Sequence, residues 1–208
     1  MISLGWFISV GMQWLSANWI EAAGVLTTVV GIWLTTRRNI ACWPVVLVAD
    51  VLYLWIFYRA HLFSDSLLQI FFITFTLYGW WHWSRGLNGE AVVRVVPLPM
   101  RHITAGLFVG AFAGLLLGVV MTHLHAALPY VDAELASYSL VATWWQARKH
   151  TANWILWIFV NLCYIGEYVY KSLPLTAALY AGLVVLAAVG LRQWRRAMNR
   201  QIASKQAG

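Results

Sequence analysis

The chain has 208 residues and a net charge of +7, with 62% hydrophobic residues, only 10% charged residues and a mean hydropathy of +0.70. A soluble domain carries about 25% charged residues and has no room to bury this much apolar surface. The composition therefore excludes a soluble globular domain and indicates an all-α polytopic membrane protein.

Apolar runs between short polar breaks predict seven membrane-spanning helices. In chain order they cover residues 18–36, 41–58, 66–83, 103–123, 133–147, 152–170 and 175–194. Residues 1–17 lack the basic start of a secretory signal, and we interpret them as an interfacial segment. Residues 84–102 contain glycines and prolines and predict a linker, whereas residues 195–208 predict a basic tail.

The Lys and Arg residues lie mostly on one side of the predicted membrane. If the first span begins outside the cell, only Arg59 and Lys171 lie outside, and the other 12 of the 14 lie in cytoplasmic loops, at the cytoplasmic end of the last span or in the tail. Cytoplasmic loops carry an excess of Lys and Arg, so the sequence predicts an N-out, C-in topology. The basic residues then contact anionic lipid headgroups, and we expect no nucleic-acid partner.

The first and last three spans align without a gap when the chain is shifted by 111 residues. The matched residues include Trp33/Trp144, Arg37/Arg148, Trp43/Trp154, Tyr53/Tyr164, Gly79/Gly190 and Trp83/Trp194, with Asp50 opposite Asn161. A three-helix bundle over 18–83, a linking helix over 103–123 and a second bundle over 132–194 make a 3+1+3 plan of parallel repeats. Such a plan is typical of transporters with a central site between the halves.

The sixth span contains a stripe of aromatic and amide residues. Trp154, Trp157, Asn161, Tyr164 and Tyr168 are spaced 3, 4, 3 and 4 apart and fall on one helix face, with Asn153 beside them. Tryptophans near span ends are also typical of an interfacial belt, and an amide can simply bond a neighbouring helix. Both alternatives remain open for the single residues.

The second span carries a corresponding set of residues: Trp43, Asp50 and Tyr53. A carboxylate in the middle of a span costs about 2.5–3.5 kcal/mol on insertion scales, so Asp50 predicts a cavity, a bound cation or a proton path. Gln69 is an amide in the apolar third span and is a further candidate. Together these residues favour a ligand with an aromatic ring, a positive charge and several hydroxyl groups.

The runs NWILWIFVN, RRNIACWPVVLVADVLY, LLQIFF and GWWHW resemble the PnuC family of bacterial vitamin transporters over about residues 18–194. The resemblance implies a fold related to the SWEET sugar transporters and a location in the bacterial inner membrane. It also implies nicotinamide riboside as substrate, facilitated diffusion, trapping by cytoplasmic phosphorylation, and a homotrimer. It assigns substrate contacts to Trp154, Trp157, Asn153 and Asn161. Other members of this family transport thiamine or riboflavin, and the residues do not separate these substrates.

Proteins of other classes fit the sequence less well. A retinal protein needs a lysine within the last span, and Lys149, Lys171 and Lys205 lie outside the spans. The internal repeat is unexpected for a receptor, and a channel would use rings of carbonyls or charges rather than bulky aromatics. No hydrolase or metalloprotease motif is present, and His123 and His125 alone indicate at most adventitious metal binding. We therefore expect no enzyme activity, no cofactor and no metal site.

Overall fold

The computed structural model describes residues 19–85, 93–123 and 128–206, which contain seven helices. Residues 1–17, predicted to be interfacial, and His125 lie outside this part. The helices are α1 (Trp19–Thr36), α2 (Cys42–Arg59), α3 (Phe63–Ser84), α4 (Met100–His123), α5 (Pro129–Ala147), α6 (Ala152–Tyr170) and α7 (Pro174–Gln206). The all-helical prediction is confirmed, and each predicted span corresponds to one helix.

The helix limits differ most from the prediction at α5 and α7. Helix α5 begins at Pro129 because proline in the first turn has no N–H to leave unbonded and already has a helical φ. Helix α7 has 33 residues, about 50 Å, and continues to Gln206. The prediction ended this helix at Trp194 because charge becomes frequent there. Its continuation is consistent with the burial of Ala197 in the apolar cluster that also contains Val93 and Val95, and with the packing of Met198 against that cluster.

Six of the seven helices form a closed ring. In order around the ring they are α1, α2, α3, α5, α6 and α7, and α7 packs back on α1. Helix α4 lies outside the ring and packs on α5. We call α1–α3 the first half and α5–α7 the second half.

Helix α4 reaches α5 through four glycines at every fourth position. Each faces a large α5 side chain: Gly106 faces Trp145, Gly110 faces Tyr138, Gly114 faces Glu134, and Gly118 faces Tyr130. A Cβ atom at any of the four would lie 2.5–2.6 Å from the opposing side chain. The close approach also allows Ser137 Oγ to donate to the Gly110 carbonyl at 2.8 Å and Tyr138 Oη to the Leu107 carbonyl at 3.2 Å.

We expect Gly110→Ala to destabilise the protein by about 1–3 kcal/mol, since the added Cβ overpacks the interface with Tyr138. Thermal unfolding of the purified protein in detergent measures this. Gly182→Ala on α7 is the matched control, because nothing lies within 4 Å of a Cβ there. That variant should unfold no earlier than the parent, since alanine is the better helix former. Equal melting temperatures for the two variants would contradict the packing role.

The four short loops within the two halves end their helices in the same way. Each has one non-glycine residue with positive φ: Arg38 (59°), His61 (60°), Lys149 (68°) and Ser172 (58°). Arg38 N–H donates to Thr35 O at 2.9 Å and Asn39 N–H to Leu34 O at 3.1 Å, and the other three loops repeat this pair of bonds. This arrangement is the Schellman motif, which satisfies the last carbonyls of a helix. The four residues form two pairs that are each separated by 111 positions.

The two ends of the bundle differ in charge. The end with loops 37–41 and 148–151, called the basic end, carries Arg37, Arg38, Arg85, Arg148 and Lys149. The opposite end, called the acidic end, carries Glu21, Asp65, Asp132, Glu134 and Glu167. There, Lys171 bonds Glu167 and lies 3.3 Å from Asp132. Burial alone would lower the pKa of Lys171, but these two carboxylates raise it above its ordinary value.

Four of the helices, α1, α2, α4 and α7, are long and apolar enough to cross a membrane by length and composition. The other three carry polar side chains on buried faces, which lowers their mean hydropathy; examples are Thr76 on α3, Ser139 on α5 and Asn161 on α6. The outward face of α4 is strongly exposed, with Phe108 77% and Phe112 66% accessible.

Candidate functional site

A cavity of about 360 Å³ lies inside the ring. All six ring helices contribute side chains to its wall, whereas α4 contributes none. Eleven wall residues come from the second half, and each has a partner in the wall 111 positions earlier. The pairs are Thr28/Ser139, Ile32/Thr143, Thr35/Gln146, Trp43/Trp154, Val46/Trp157, Asp50/Asn161, Tyr53/Tyr164, Phe57/Tyr168, Gln69/Tyr180, Phe72/Leu183 and Thr76/Ala187.

The structure brings together eight of the nine residues predicted for the site. Trp43, Asp50, Tyr53, Gln69, Trp154, Trp157, Asn161 and Tyr164 all line the cavity. Asn153 does not: it is fully buried at the start of α6, and its Nδ2 donates to the carbonyl of His150. Its neighbour Trp154 is directed to the cavity instead, so Asn153 belongs to the turn that begins α6.

Helix α3 holds the Asp50 carboxylate from one side. Thr76 Oγ1 donates to one oxygen at 2.7 Å, and Gln69 Nε2 donates to the other at 3.3 Å. Asp50 is 8% exposed. Both donors are neutral, so the carboxylate keeps its place in the wall without a cation from the described residues beside it.

Asn161 is the counterpart of Asp50 in the second half, but its amide is not held in the same way. The position equivalent to Thr76 is Ala187, which has no hydroxyl group. Asn161 is 5% exposed, and no side-chain hydrogen bond joins its amide to any other described residue. Asn161 lies in the cavity wall, so its amide is available to hydrogen-bond a ligand or water there.

Aromatic rings fill the wall towards the acidic end. Tyr180 lies 4.8 Å from Tyr164 and 5.1 Å from Tyr168, measured between ring centroids. Tyr53 stacks on Phe57 at 5.9 Å, as Tyr164 stacks on Tyr168 at 6.0 Å. The tyrosines of this wall can offer hydroxyl groups and ring faces to one ligand.

Two indole rings line the cavity towards the basic end. Trp43 lies against Gly79 and Trp154 against Gly190, where any side chain would meet the indole ring within 2.2–2.6 Å. Both rings are 1% exposed, and neither Nε1 has a hydrogen-bond acceptor in the described part of the chain. The two unbonded donors are equivalent positions of the two halves.

The sequence-based prediction missed the contribution of α5 and α7. Ser139, Thr143 and Gln146 line the cavity from α5, and Tyr180 lines it from α7. The signal for the α5 residues was present, since polar residues at intervals of four and three lie on one helix face. Tyr180 could have been found as the position 111 residues after Gln69.

The known proteins that resemble this chain are named as transporters. The nicotinamide riboside transporter PnuC of Escherichia coli (strain K12) is 29% identical over 213 aligned residues, covering 90% of this chain and 89% of the relative. The riboflavin/roseoflavin transporter RibM of Streptomyces davaonensis is 26% identical over 198 residues, covering 88% and 92%. The crystal structure of the vitamin B3 transporter PnuC shares the fold, with a TM-score of 0.74 at 20% identity over 92% of this chain and 87% of that one.

The polytopic prediction and the predicted location agree with these relatives: the protein is a multi-pass protein of the bacterial inner membrane. The family model of the nicotinamide mononucleotide transporters matches residues 18–196, which is most of the chain. The chain therefore belongs to the nicotinamide mononucleotide transporter family, the family of the PnuC proteins.

Proposed function

We propose that this protein carries nicotinamide riboside across the bacterial inner membrane by facilitated diffusion, with the central cavity as the substrate site. The observation that carries this proposal is the cavity wall, which combines the Trp157 ring, the unbonded Asn161 amide and the Asp50 carboxylate. The ring stacks on the pyridinium, the amide bonds the carboxamide or ribose, and the carboxylate attracts the positive charge. The name of the Escherichia coli relative supports the choice of substrate.

The two halves act as parallel repeats about an axis through the cavity. The eleven paired wall residues and the paired Schellman loops support this arrangement. The basic end faces the cytoplasm, since Lys and Arg are enriched on that side of membrane proteins. Such halves expose a central site alternately to the two sides. The expected homotrimer stays a prediction.

Net uptake comes from chemistry outside this protein. Phosphorylation of the riboside in the cytoplasm adds about −1.5 to −2 charges. The phosphate then meets the Asp50 carboxylate, so like-charge repulsion and the cost of desolvating it in a closed cavity oppose its return. Net uptake therefore requires no coupling to a proton or sodium gradient.

Thiamine or riboflavin is the second candidate substrate. The riboflavin/roseoflavin transporter RibM aligns with 88% of this chain. Riboflavin is neutral and gains nothing from Asp50, whereas thiamine carries a cationic ring as nicotinamide riboside does. We rank the riboside first because Asn161 and the tyrosine hydroxyls offer several partners to a ribose.

Uptake into proteoliposomes tests substrate and mechanism together. At zero membrane potential, we expect labelled nicotinamide riboside to accumulate to its equilibrium concentration and no further, and ionophores that collapse proton and sodium gradients should leave the initial rate unchanged. Unlabelled riboside should compete fully, with thiamine and riboflavin competing less. Loss of uptake with an ionophore would contradict facilitated diffusion, and stronger competition by thiamine or riboflavin would reassign the substrate.

A further inference from the structure

Four tryptophans form a contiguous series of rings at the basic end of the cavity. Trp43 and Trp154 line the cavity, whereas Trp83 and Trp194 lie behind them and outside the wall. The centroid distances are 5.2 Å for Trp43–Trp83, 5.9 Å for Trp83–Trp194 and 5.6 Å for Trp154–Trp194. We call these four residues the indole floor. All four are at most 1% exposed, so the floor is buried inside the bundle.

The two rear tryptophans tie the halves together by reciprocal hydrogen bonds. Trp83 at the end of α3 donates from Nε1 to α5, where the N–H is shared between the carbonyls of Ala147 at 3.1 Å and Gln146 at 3.3 Å. Trp194 on α7 donates from Nε1 to the Thr35 carbonyl of α1 at 3.0 Å. Each bond crosses from one half to the other, in opposite directions. Breaking either bond costs free energy, because it leaves a buried N–H without an acceptor.

A short segment of the linker, residues 93–96, runs across the basic end and bonds both halves; we call it the strap. Val93 N–H donates to the Arg38 carbonyl at 3.4 Å, and Arg38 Nη1 returns a bond to the Val93 carbonyl at 3.2 Å. Val96 N–H donates to the Lys149 carbonyl at 2.9 Å. Arg38 and Lys149 are the equivalent positive-φ residues of the two halves. Val93 and Val95 are buried in the same apolar cluster as the floor.

We propose that the indole floor and the strap are a gate that closes the cavity at the basic end in this conformation. Trp83 and Trp194 are positioning residues: they hold the cavity-lining indoles in place through edge-to-face contacts and lock the halves through their N–H bonds. Opening to the basic end requires both cross-half bonds to break and the strap to release one half. The gate rests on the proposed alternating-access function.

Cys42 is a natural reporter for this gate. It is the first residue of α2, is 0% exposed and belongs to the apolar cluster of the floor. The described part of the chain contains one other cysteine, the half-buried Cys163 of α6, which serves as an internal reference. A maleimide reaches Cys42 only when the floor opens, whereas general unfolding exposes both cysteines.

The test is the rate of maleimide labelling of each cysteine in purified protein without substrate, resolved by peptide mass spectrometry. Trp83→Phe and Trp194→Phe keep an aromatic ring and remove one cross-half hydrogen bond each. The hydrogen bond stabilises the closed state, so its loss makes opening more frequent. Each variant should therefore raise the Cys42 labelling rate about 2- to 10-fold. The Cys163 rate should stay at the parent value.

Val96→Pro is a second route to the same result, because it removes the strap's N–H bond to Lys149 without touching the floor. Trp80→Phe is the matched control, since Trp80 is an exposed indole on α3. Faster Cys42 labelling in all three gate variants supports the gate, and Cys42 rates equal to the Trp80→Phe rate overturn it. A parallel rise of both cysteines also overturns it, since that marks general loosening. Labelling needs no substrate, so a failure of riboside uptake bears on the proposed function alone.

Discussion

Replacement of Trp157 by alanine should weaken nicotinamide riboside binding by roughly 100-fold or more. A desolvated cation over an indole face contributes about 2 kcal/mol. Burial of roughly 60 Å² of ligand ring against the indole adds about 1.5 kcal/mol. The sum is about 3.5 kcal/mol, and each 1.4 kcal/mol is a factor of ten in the dissociation constant. Calorimetric titration of the purified variant measures the loss directly.

Two further variants separate ligand stacking from packing. Trp157 also contacts both apolar clusters, so its removal lowers stability as well. Trp157→Phe keeps a ring face and should retain most of the binding. Phe159→Ala removes a ring from the outward face of the same helix, where Phe159 is 61% exposed, and should bind as the parent does. An unchanged dissociation constant for a folded Trp157→Ala protein would remove Trp157 from the site.

The helices were predictable from sequence because the spans are largely apolar runs between short polar breaks, and lipid requires every backbone group within a span to be bonded internally. The end of α7 was not predictable in this way. Arg195 and Arg196 look like the start of a tail, yet Ala197 is buried in the same apolar cluster as Val93 and Val95, and the helix continues. A cluster that joins residues as distant as Val93 and Ala197 leaves no periodic pattern in the sequence.

The site was predictable where the pattern was local. The stripe on α6 and its counterpart on α2 show the face that lines the cavity, and the shift of 111 residues relates them. Asn153 shows the limit of this reasoning, since it adjoins the stripe yet bonds the His150 carbonyl of its own turn. The hydrogen bond from Thr76 to Asp50 joins two helices, and only the packing of α3 on α2 reveals it.

The asymmetry between the halves indicates how one ligand could bind in a single orientation. Equivalent positions differ at Val46 and Trp157, at Asp50 and Asn161, and at Thr76 and Ala187. The first half contributes the held carboxylate, and the second half contributes the large ring and the unbonded amide. A ligand whose positively charged ring lies against Trp157 of α6, with that charge within reach of Asp50 of α2, satisfies both halves at once.

Replacement of Asp50 by asparagine tests this division of roles, and it should weaken a cationic ligand far more than a neutral one. Two unit charges about 8 Å apart at an effective dielectric constant of about 20 interact by about 2 kcal/mol. The affinity for nicotinamide riboside should therefore fall about 30-fold, whereas its reduced, uncharged dihydropyridine form should lose at most a few-fold. Thr76 can still donate to the asparagine oxygen, so the side chain keeps one of its bonds to α3.

Thr76→Val is the matched control, because it removes that bond and keeps the charge, and it should affect the two ligands alike. Equal losses for both ligands in Asp50→Asn would show that the carboxylate supports the wall and plays no part in recognising the cation.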